Sequence, residues 1–470
     1  MKNLVWILIA IVFLASRLMW IQDPICYDEA GWAQIAREVV YHGKTLYVDF
    51  FDNKPPLVYP VYLLSALVVR EPSELGMRVF GLVFQGVSLG ILIWVFKKYV
   101  SRGAAIFVGL TEAVVGTSLV MEGQCWLMTE QLMKPVFLLW FLCLFKTKTG
   151  KRVLWWFVLG AVTGVMMWMK QTYLFMLVPL VIYAGWRGRS IRLVLVSIMG
   201  WTAVSVITVG FFLVTGMFDD LKAGAWDFNM TYYINGTSTF GTTLEALAKR
   251  SFYLWPVLAV LAWVGKRPWY HRRNMWLSLT VLSLVVIGLY SAWAGGERMY
   301  RHYLVLIVFP LIMYAGVGWA AIRNKRIKQW VIEALSIVLL YTFGLNVYQR
   351  EKFLAKQYQD FYQELNRIEQ LSRSLNAGNE VKFWGEAMQF YYPLNVRLED
   401  KFFIATGVLT FPGLESELDL MRRRVMKDHP KLIVTDKKDL FVLDAQIQSW
   451  LQTNYKYREN GNWIEWTRID

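Results

Sequence analysis

The feature that most constrains this chain is a series of apolar runs, many of them roughly 17 to 22 residues long, joined by short connections rich in lysine and arginine. A run of that length can satisfy its backbone in hydrocarbon only as a helix. Spans are expected at 4–21, 79–96, 104–121, 131–145, 153–169, 172–186, 193–215, 251–265, 275–294, 303–321 and 329–348. This makes a polytopic α-helical membrane protein of about eleven transmembrane helices, the shorter of which would be extended by their flanks or tilted against neighbours. Composition agrees: 56% of residues are hydrophobic and 18% charged, beyond the soluble balance of about half apolar and a quarter charged. Leu4 to Ile21 lacks a small-residue cleavage site and is followed by further spans, so it reads as a retained first helix rather than a signal peptide.

The net charge of +15 invites a nucleic-acid partner, but its distribution argues against one. The connections Lys97–Gly103, Lys146–Arg152, Arg187–Arg192, Lys266–Asn274 and Arg323–Lys328, with Lys2, hold 19 basic residues and no acid, leaving 31 basic and 35 acidic residues elsewhere. Such a bias is an orientation signal. It predicts a cytoplasmic N-terminus, with the longer loops 22–78 and 216–250 on the outer face; the expected location is the plasma (inner) membrane.

After Tyr348 the composition changes, with 18 basic and 18 acidic residues over 349–470 and no membrane-length apolar run. Two parts are expected: a transmembrane portion, 1–348, and a small C-terminal α/β extracytoplasmic domain, 349–470. In the latter, Glu351–Leu375 reads as an amphipathic helix, Val381–Trp384, Phe402–Ala405 and Leu432–Thr435 as strands, and Tyr455–Arg458 with Trp463–Thr467 as a hairpin. A helix through Leu418, Met421 and Val425 and another over Leu440–Leu451 complete it.

The stretch Tyr27–Leu57 carries the densest chemical signal. Asp28 and Glu29 open a helical pattern in which Trp32, Ile35, Ala36, Val39 and Val40 share a face, and Gly43 ends it. Asp28 suits a helix cap and Glu29 the first turn; a carboxylate at a membrane boundary is equally suited to act as a general base or to hold a cation. The turn Asp52-Asn53-Lys54-Pro55-Pro56 places an acid and a base on a proline-stiffened bend, apt for an anionic head group.

Ionisable residues also gather at the outer ends of the spans: Arg17, Glu122, Glu130, Lys134, Lys170, Arg298, Arg301 and His302. Their common depth points to a shared polar cavity, whereas Glu112, mid-span, fits either that cavity or an interhelical contact. Cys26 and Cys125 both fall near the outer face, leaving a disulfide or two free thiols open. No HExxH and no Cys/His cluster occurs, so no cofactor is required by the sequence; a divalent cation held by Asp28, Glu29 or Glu122 stays open.

Taken in order, Asp28-Glu29, Gly43 with Tyr47, the Asp52–Leu57 turn, Arg78, Thr129-Glu130, Lys170-Gln171, and Arg301-His302-Tyr303 followed by Pro310 resemble the GT-C superfamily of integral-membrane glycosyltransferases. Within it the likeness is to the protein O-mannosyltransferase and aminoarabinose (lipid A) transferase group. The resemblance implies a polyprenyl-phosphate sugar as donor, a lipid, glycan or protein acceptor on the outer face, and an inverting single displacement. It assigns the loop acid to Asp28, with Glu29 beside it. Substrate or donor-phosphate contacts fall to Asp52, Lys54, Arg78, Glu130, Lys170, Arg298, Arg301, His302 and Tyr303. Lys54 stands where protein mannosyltransferases have histidine before the double proline, moving the likeness toward the bacterial lipid-linked branch. The rival readings are a transporter or flippase, which would distribute charge through the midplane and break helices in paired halves, and a non-catalytic protein that binds lipid-linked sugars.

Overall fold

A computed structural model describes residues 4–116, 126–149, 153–230, 255–266, 272–294, 301–351, 355–398, 426–437, 445–460 and 463–469, with isolated positions at 241–249 and 423. The chain divides into two compact units: 1–23, 81–210 and 236–354 form one, and 24–80, 211–235 and 355–470 the other.

The first unit is helical. Its elements include α1 (Leu4–Leu18), α5 (Arg102–Val115), α6 (Thr129–Thr149), α7 (Val153–Met169), α8 (Leu177–Gly188) and most of α9 (Ile191–Val214). Helices Trp255–Gly265, Arg272–Ala294, Val305–Ala321 and Lys325–Gln349 follow. Most of α4 (Glu74–Tyr99) belongs here too. Among the described residues, Glu74–Tyr99, Ile191–Val214, His302–Ala321 and Lys325–Tyr348 are long and apolar enough to cross a membrane. Leu4–Leu18, Val153–Met169, Gln171–Trp186, Trp255–Gly265 and Ser278–Ala294 are shorter apolar helices.

Buried charged side chains inside this bundle find partners, as a low-dielectric interior favours. The Arg17 guanidinium donates to Gln85 Oε1 at 3.2 Å and to the Ala113 carbonyl at 2.6 Å. The Lys134 ammonium lies 2.6 Å from Glu112 Oε1, both side chains buried. Glu112 is thus an interhelical contact between α5 and α6, which settles the choice the sequence left open.

The second unit begins with α2 (Tyr27–His42), whose ends are instructive. Gly43 closes it in the left-handed region, φ 65°, returning its N–H to the Glu38 carbonyl. The N-terminal cap, however, is Cys26, with no side-chain hydrogen bond. Asp28 therefore does not cap the helix; it sits within the first turn, where its charge still faces the positive end of the helix dipole. Nor does α2 bury only one face: Glu29 through Glu38 are all buried.

Pro55 is extended, φ −64° and ψ 153°, and Pro56 opens a 3-10 turn that runs into α3 (Tyr59–Val69). This apolar helix within the long loop is absent from the spans expected from sequence. Arg78, expected to open the second span, lies one turn inside α4, which starts at Glu74.

The sheet of this unit follows the expected strands closely: β1 (Val381–Trp384), β2 (Leu432–Asp436), β3 (Tyr455–Asn460) and β4 (Trp463–Arg468), in the order β1-β2-β4-β3. β1 and β2 are parallel, whereas β4 is antiparallel to both β2 and β3. Helix Ala355–Ser374 is tied to the sheet by Arg367, which pairs with Glu364 on its own helix and with buried Glu465 of β4. Helix Ala445–Asn454 leads straight into β3. The strand expected at Phe402–Ala405 and the helix through Leu418, Met421 and Val425 lie outside the described residues.

Candidate functional site

The acid-bearing loop belongs to the second unit and is built around Asp52. Its side chain is buried and accepts a hydrogen bond from the Tyr59 hydroxyl. The Tyr47 hydroxyl donates to the Lys54 carbonyl at 2.5 Å, and Asn229 Nδ2 donates to the Asn53 carbonyl at 2.6 Å. Phe51 packs edge-on against Phe228, with ring centroids 5.7 Å apart. Three consecutive residues of the bend are thus clamped by side chains from α3, from the preceding loop and from the π-helical turn Lys222–Phe228 and its following residue. Gly224 of that turn lies so close that a Cβ would collide with the Asp52 carbonyl oxygen, and only glycine leaves the room.

Burial pushes the Asp52 carboxyl up to about 6; neighbouring Asp28 adds to the rise, while the Tyr59 hydrogen bond and Lys54 oppose it. Asp28 and Asp52 therefore feel each other's charge, and Lys54 lies within the same field. The Lys54 ammonium stands 5.2 Å from the centroid of the Trp32 ring, a geometry in which the ring face attracts the cation. Burial, with Asp52 nearby, also drives the Tyr47 phenol well above its usual range.

The two adjacent acids occupy different surroundings. Glu29 is 2% exposed and lies 3.7 Å from Arg78, which also donates to the Pro24 carbonyl. Asp28, one residue earlier, is only partly buried.

In the helical unit, Lys170 at the end of α7 meets Glu130 at the start of α6, 2.8 Å apart. The same ammonium stands 4.2 Å above the Tyr303 ring, against which His302 packs edge-on with centroids 4.8 Å apart. Tyr173 is wholly buried within the field of Glu130, and Thr172 shares a 2.5 Å hydroxyl contact with Ser291. Glu130, Lys170, His302 and Tyr303 are thus gathered as one polar cluster. Arg298 and the side chain of Arg301 lie outside the described residues, as do Glu122 and Cys125.

Of the acids raised for a cation, Glu29 is engaged by Arg78, and Asp28 lies within the field of Asp52. Among the described residues no three His, Cys, Asp or Glu side chains form a metal-binding group.

Sequence reasoning overlooked Tyr59, Asn229 and Gly224 as parts of the loop site. Tyr59 carried a usable signal, since it follows Asp52 by one proline-ended turn. Asn229 and Gly224 lie more than 170 residues away along the chain and carry no motif.

Residues 53–215 match the family model of dolichyl-phosphate-mannose-protein mannosyltransferases. Among solved structures the chain is similar to ArnT from Cupriavidus metallidurans bound to undecaprenyl phosphate, with 12% identity, a TM-score of 0.65, and coverage of 100% of this chain and 98% of that one. It is also similar to the Archaeoglobus fulgidus oligosaccharyltransferase tethered with an acceptor peptide, with 10% identity, a TM-score of 0.54, and coverage of 99% and 74%. The Archaeoglobus fulgidus oligosaccharyltransferase AglB in complex with an inhibitory peptide and a dolichol-phosphate gives 10% identity, a TM-score of 0.52, and coverage of 99% and 74%. None of the curated proteins matches the chain in sequence. The fold is therefore shared with ArnT and with the Archaeoglobus fulgidus oligosaccharyltransferase. Over 53–215 the sequence resembles the dolichyl-phosphate-mannose-protein mannosyltransferases.

Proposed function

We propose that this chain is a glycosyltransferase that moves a sugar from a polyprenyl-phosphate donor to an acceptor hydroxyl, or a similar nucleophile, at the outer face of the membrane. The observation that carries the assignment of roles is the contrast between the adjacent acids: Glu29 is committed to Arg78 in a buried pair, while Asp28 stays partly accessible at the first turn of a buried helix. A rigid, accessible carboxylate is what a general base requires.

In this reading Asp28 takes the proton of the acceptor as its oxygen forms a bond to the anomeric carbon. The bond from that carbon to the phosphate oxygen breaks on the opposite side, and the polyprenyl phosphate leaves with the electron pair, inverting the centre. Negative charge grows on the departing phosphate, and fixed cations favour that state over the ground state. Lys54 is the candidate cation for this role on the loop; Lys170, Arg298 and Arg301 are the candidates in the helical unit. Asp52 fixes the bend that presents Lys54, and Glu29 with Arg78 holds the start of α2. Glu130, His302 and Tyr303 frame Lys170. A divalent cation bound beside Asp28 would add neutralising charge at the phosphate.

The family-model match over 53–215 and the likeness to proteins solved with undecaprenyl phosphate and dolichol-phosphate support the donor class. The basic short connections support an orientation with the loop 22–78 and the C-terminal portion outside a plasma membrane. The test is to incubate membranes bearing the protein with a panel of polyprenyl-linked sugars and analyse products by mass spectrometry. Transfer of one sugar, absent from Asp28→Asn membranes, is expected. Movement of lipid-linked sugar across the bilayer with no new glycosidic product would instead support the flippase reading.

A further inference from the structure

At one end of the helical unit, cations and aromatic rings interleave. Lys97 and Arg102 stand 5.6 and 5.9 Å from the centroid of the Trp6 ring. Lys98 lies 5.6 Å from the Tyr99 centroid and 5.1 Å from that of Trp94. Lys146 lies 5.7 Å from Tyr99 and 5.4 Å from Trp155. These residues come from the start of α1, the end of α4, the start of α5, the end of α6 and the start of α7. Two rings therefore each hold a pair of cations, bringing four positive charges onto one edge of the bundle.

The chemistry of this edge is unbalanced. The connections 97–103 and 146–152 contain no acid, and Lys97 and Lys98, both exposed, make no ion pair among the described residues. Like charges gathered on one edge repel, and an anion lodged among them would relieve that repulsion. Exposed tryptophan and tyrosine are at home at the level of lipid head groups, and Trp94 is 46% exposed. A phosphodiester with acyl chains matches both halves of this surface: its phosphate suits the cations, its glycerol and upper chains the rings.

We propose that Trp6, Lys97, Lys98, Tyr99, Arg102 and Lys146 form a binding site for the phosphodiester head group of an anionic phospholipid. This site is separate from the polar cluster at Glu130 and Lys170. Glu130 and Lys146 lie near opposite ends of α6, about 24 Å apart at the helical rise. It rests on the membrane-spanning fold and not on the proposed reaction. The general bias of basic connections attracts anionic lipid everywhere on that side; ring-held cations make this edge a discrete site.

The full-length protein, purified and exposed to phosphatidylglycerol and phosphatidylcholine, is compared by native mass spectrometry with a K97Q/K98Q/R102Q variant. A second variant, R323Q/K325Q/R326Q, removes equal charge from another basic connection. The wild type is expected to retain phosphatidylglycerol over phosphatidylcholine, the first variant to lose about tenfold or more of that preference, and the second to keep it. Equal losses in the two variants, no preference in the wild type, or full displacement of the lipid by inorganic phosphate would overturn the site. W6L/Y99L, which keeps every charge, guards against misinsertion of the first variant; it should bind phosphatidylglycerol several-fold more weakly, and wild-type binding in it would also contradict the proposal.

Discussion

The buried Glu38 carboxylate accepts a hydrogen bond from the backbone N–H of Leu398 at 3.0 Å, joining α2 to a segment 360 residues further along the chain. The same oxygen accepts from Gln34 Nε2 at 3.1 Å, and that amide also donates to the Val396 carbonyl at 3.0 Å. Glu74 repeats the theme, accepting from the Ile25 N–H at 3.3 Å and the Tyr362 hydroxyl at 3.1 Å. The helix that carries Asp28 is therefore braced by residues of the C-terminal portion. Glu38→Ala leaves a buried N–H without its acceptor, at a cost of about 1–3 kcal/mol. Thermal unfolding of the purified protein should show a clear loss, with Glu38→Gln intermediate because it keeps one acceptor; an unchanged midpoint for Glu38→Ala would show that the brace is not needed.

Inside the bundle, Glu112 and Lys134 test the cost of buried charge. Removing either partner leaves the other uncompensated, a loss of about 3–5 kcal/mol. Glu112→Leu and Lys134→Met should each sharply reduce folded protein in membranes, while the double substitution recovers much of it. Yields in the double no better than in the worse single would argue against direct pairing.

Asp52 predicts a pH dependence with a definite sign. Its folded carboxyl titrates near 6, above the unfolded value of about 4, so the folded state favours the protonated form. That contribution is fully present below about pH 4 and is lost as pH rises through about 6. It amounts to on the order of 3 kcal/mol. Asp52→Asn should flatten the stability profile between those limits, as measured by denaturation at a series of pH values. An Asn variant with the wild-type slope would assign the titration to another group.

Lys54 separates donor binding from chemistry. Lys54→Ala removes the cation beside Trp32 but leaves the backbone clamps at Asn53 and Lys54 in place. The donor KM should rise by about tenfold, the scale of one charged hydrogen bond. Unchanged donor dependence in steady-state kinetics would remove Lys54 from the phosphate site.

Much of the helical unit is legible from sequence because membrane-length apolar runs admit few alternatives. Val153–Met169 is a helix over the very residues expected, and Lys325–Gln349 over a few more. The short helix Tyr59–Val69 escapes because its 11 residues fall below a membrane span and follow two prolines. Asp28 was expected as a cap because acids favour that position, but the helix starts two residues earlier and Cys26 takes it. The partners of Glu112, Glu38 and Asn53 are set by packing between distant segments. No local periodicity encodes such contacts, so residue type alone leaves a buried acid ambiguous between structure and chemistry. The contrast between Glu29 and Asp28, adjacent and chemically alike, becomes visible only once burial and Arg78 are known.

That contrast also gives the most direct test. Asp28→Asn preserves shape and leaves the Glu29–Arg78 pair intact, whereas Glu29→Gln strips a buried guanidinium of its counter-charge. Transfer from a polyprenyl-phosphate sugar should be measured for both purified variants beside their thermal stability. The account predicts that Asp28→Asn folds like the wild type and loses transfer by about a hundredfold or more, and that Glu29→Gln is lowered chiefly in stability. Wild-type turnover by a folded Asp28→Asn protein would contradict the assignment of Asp28 as the base.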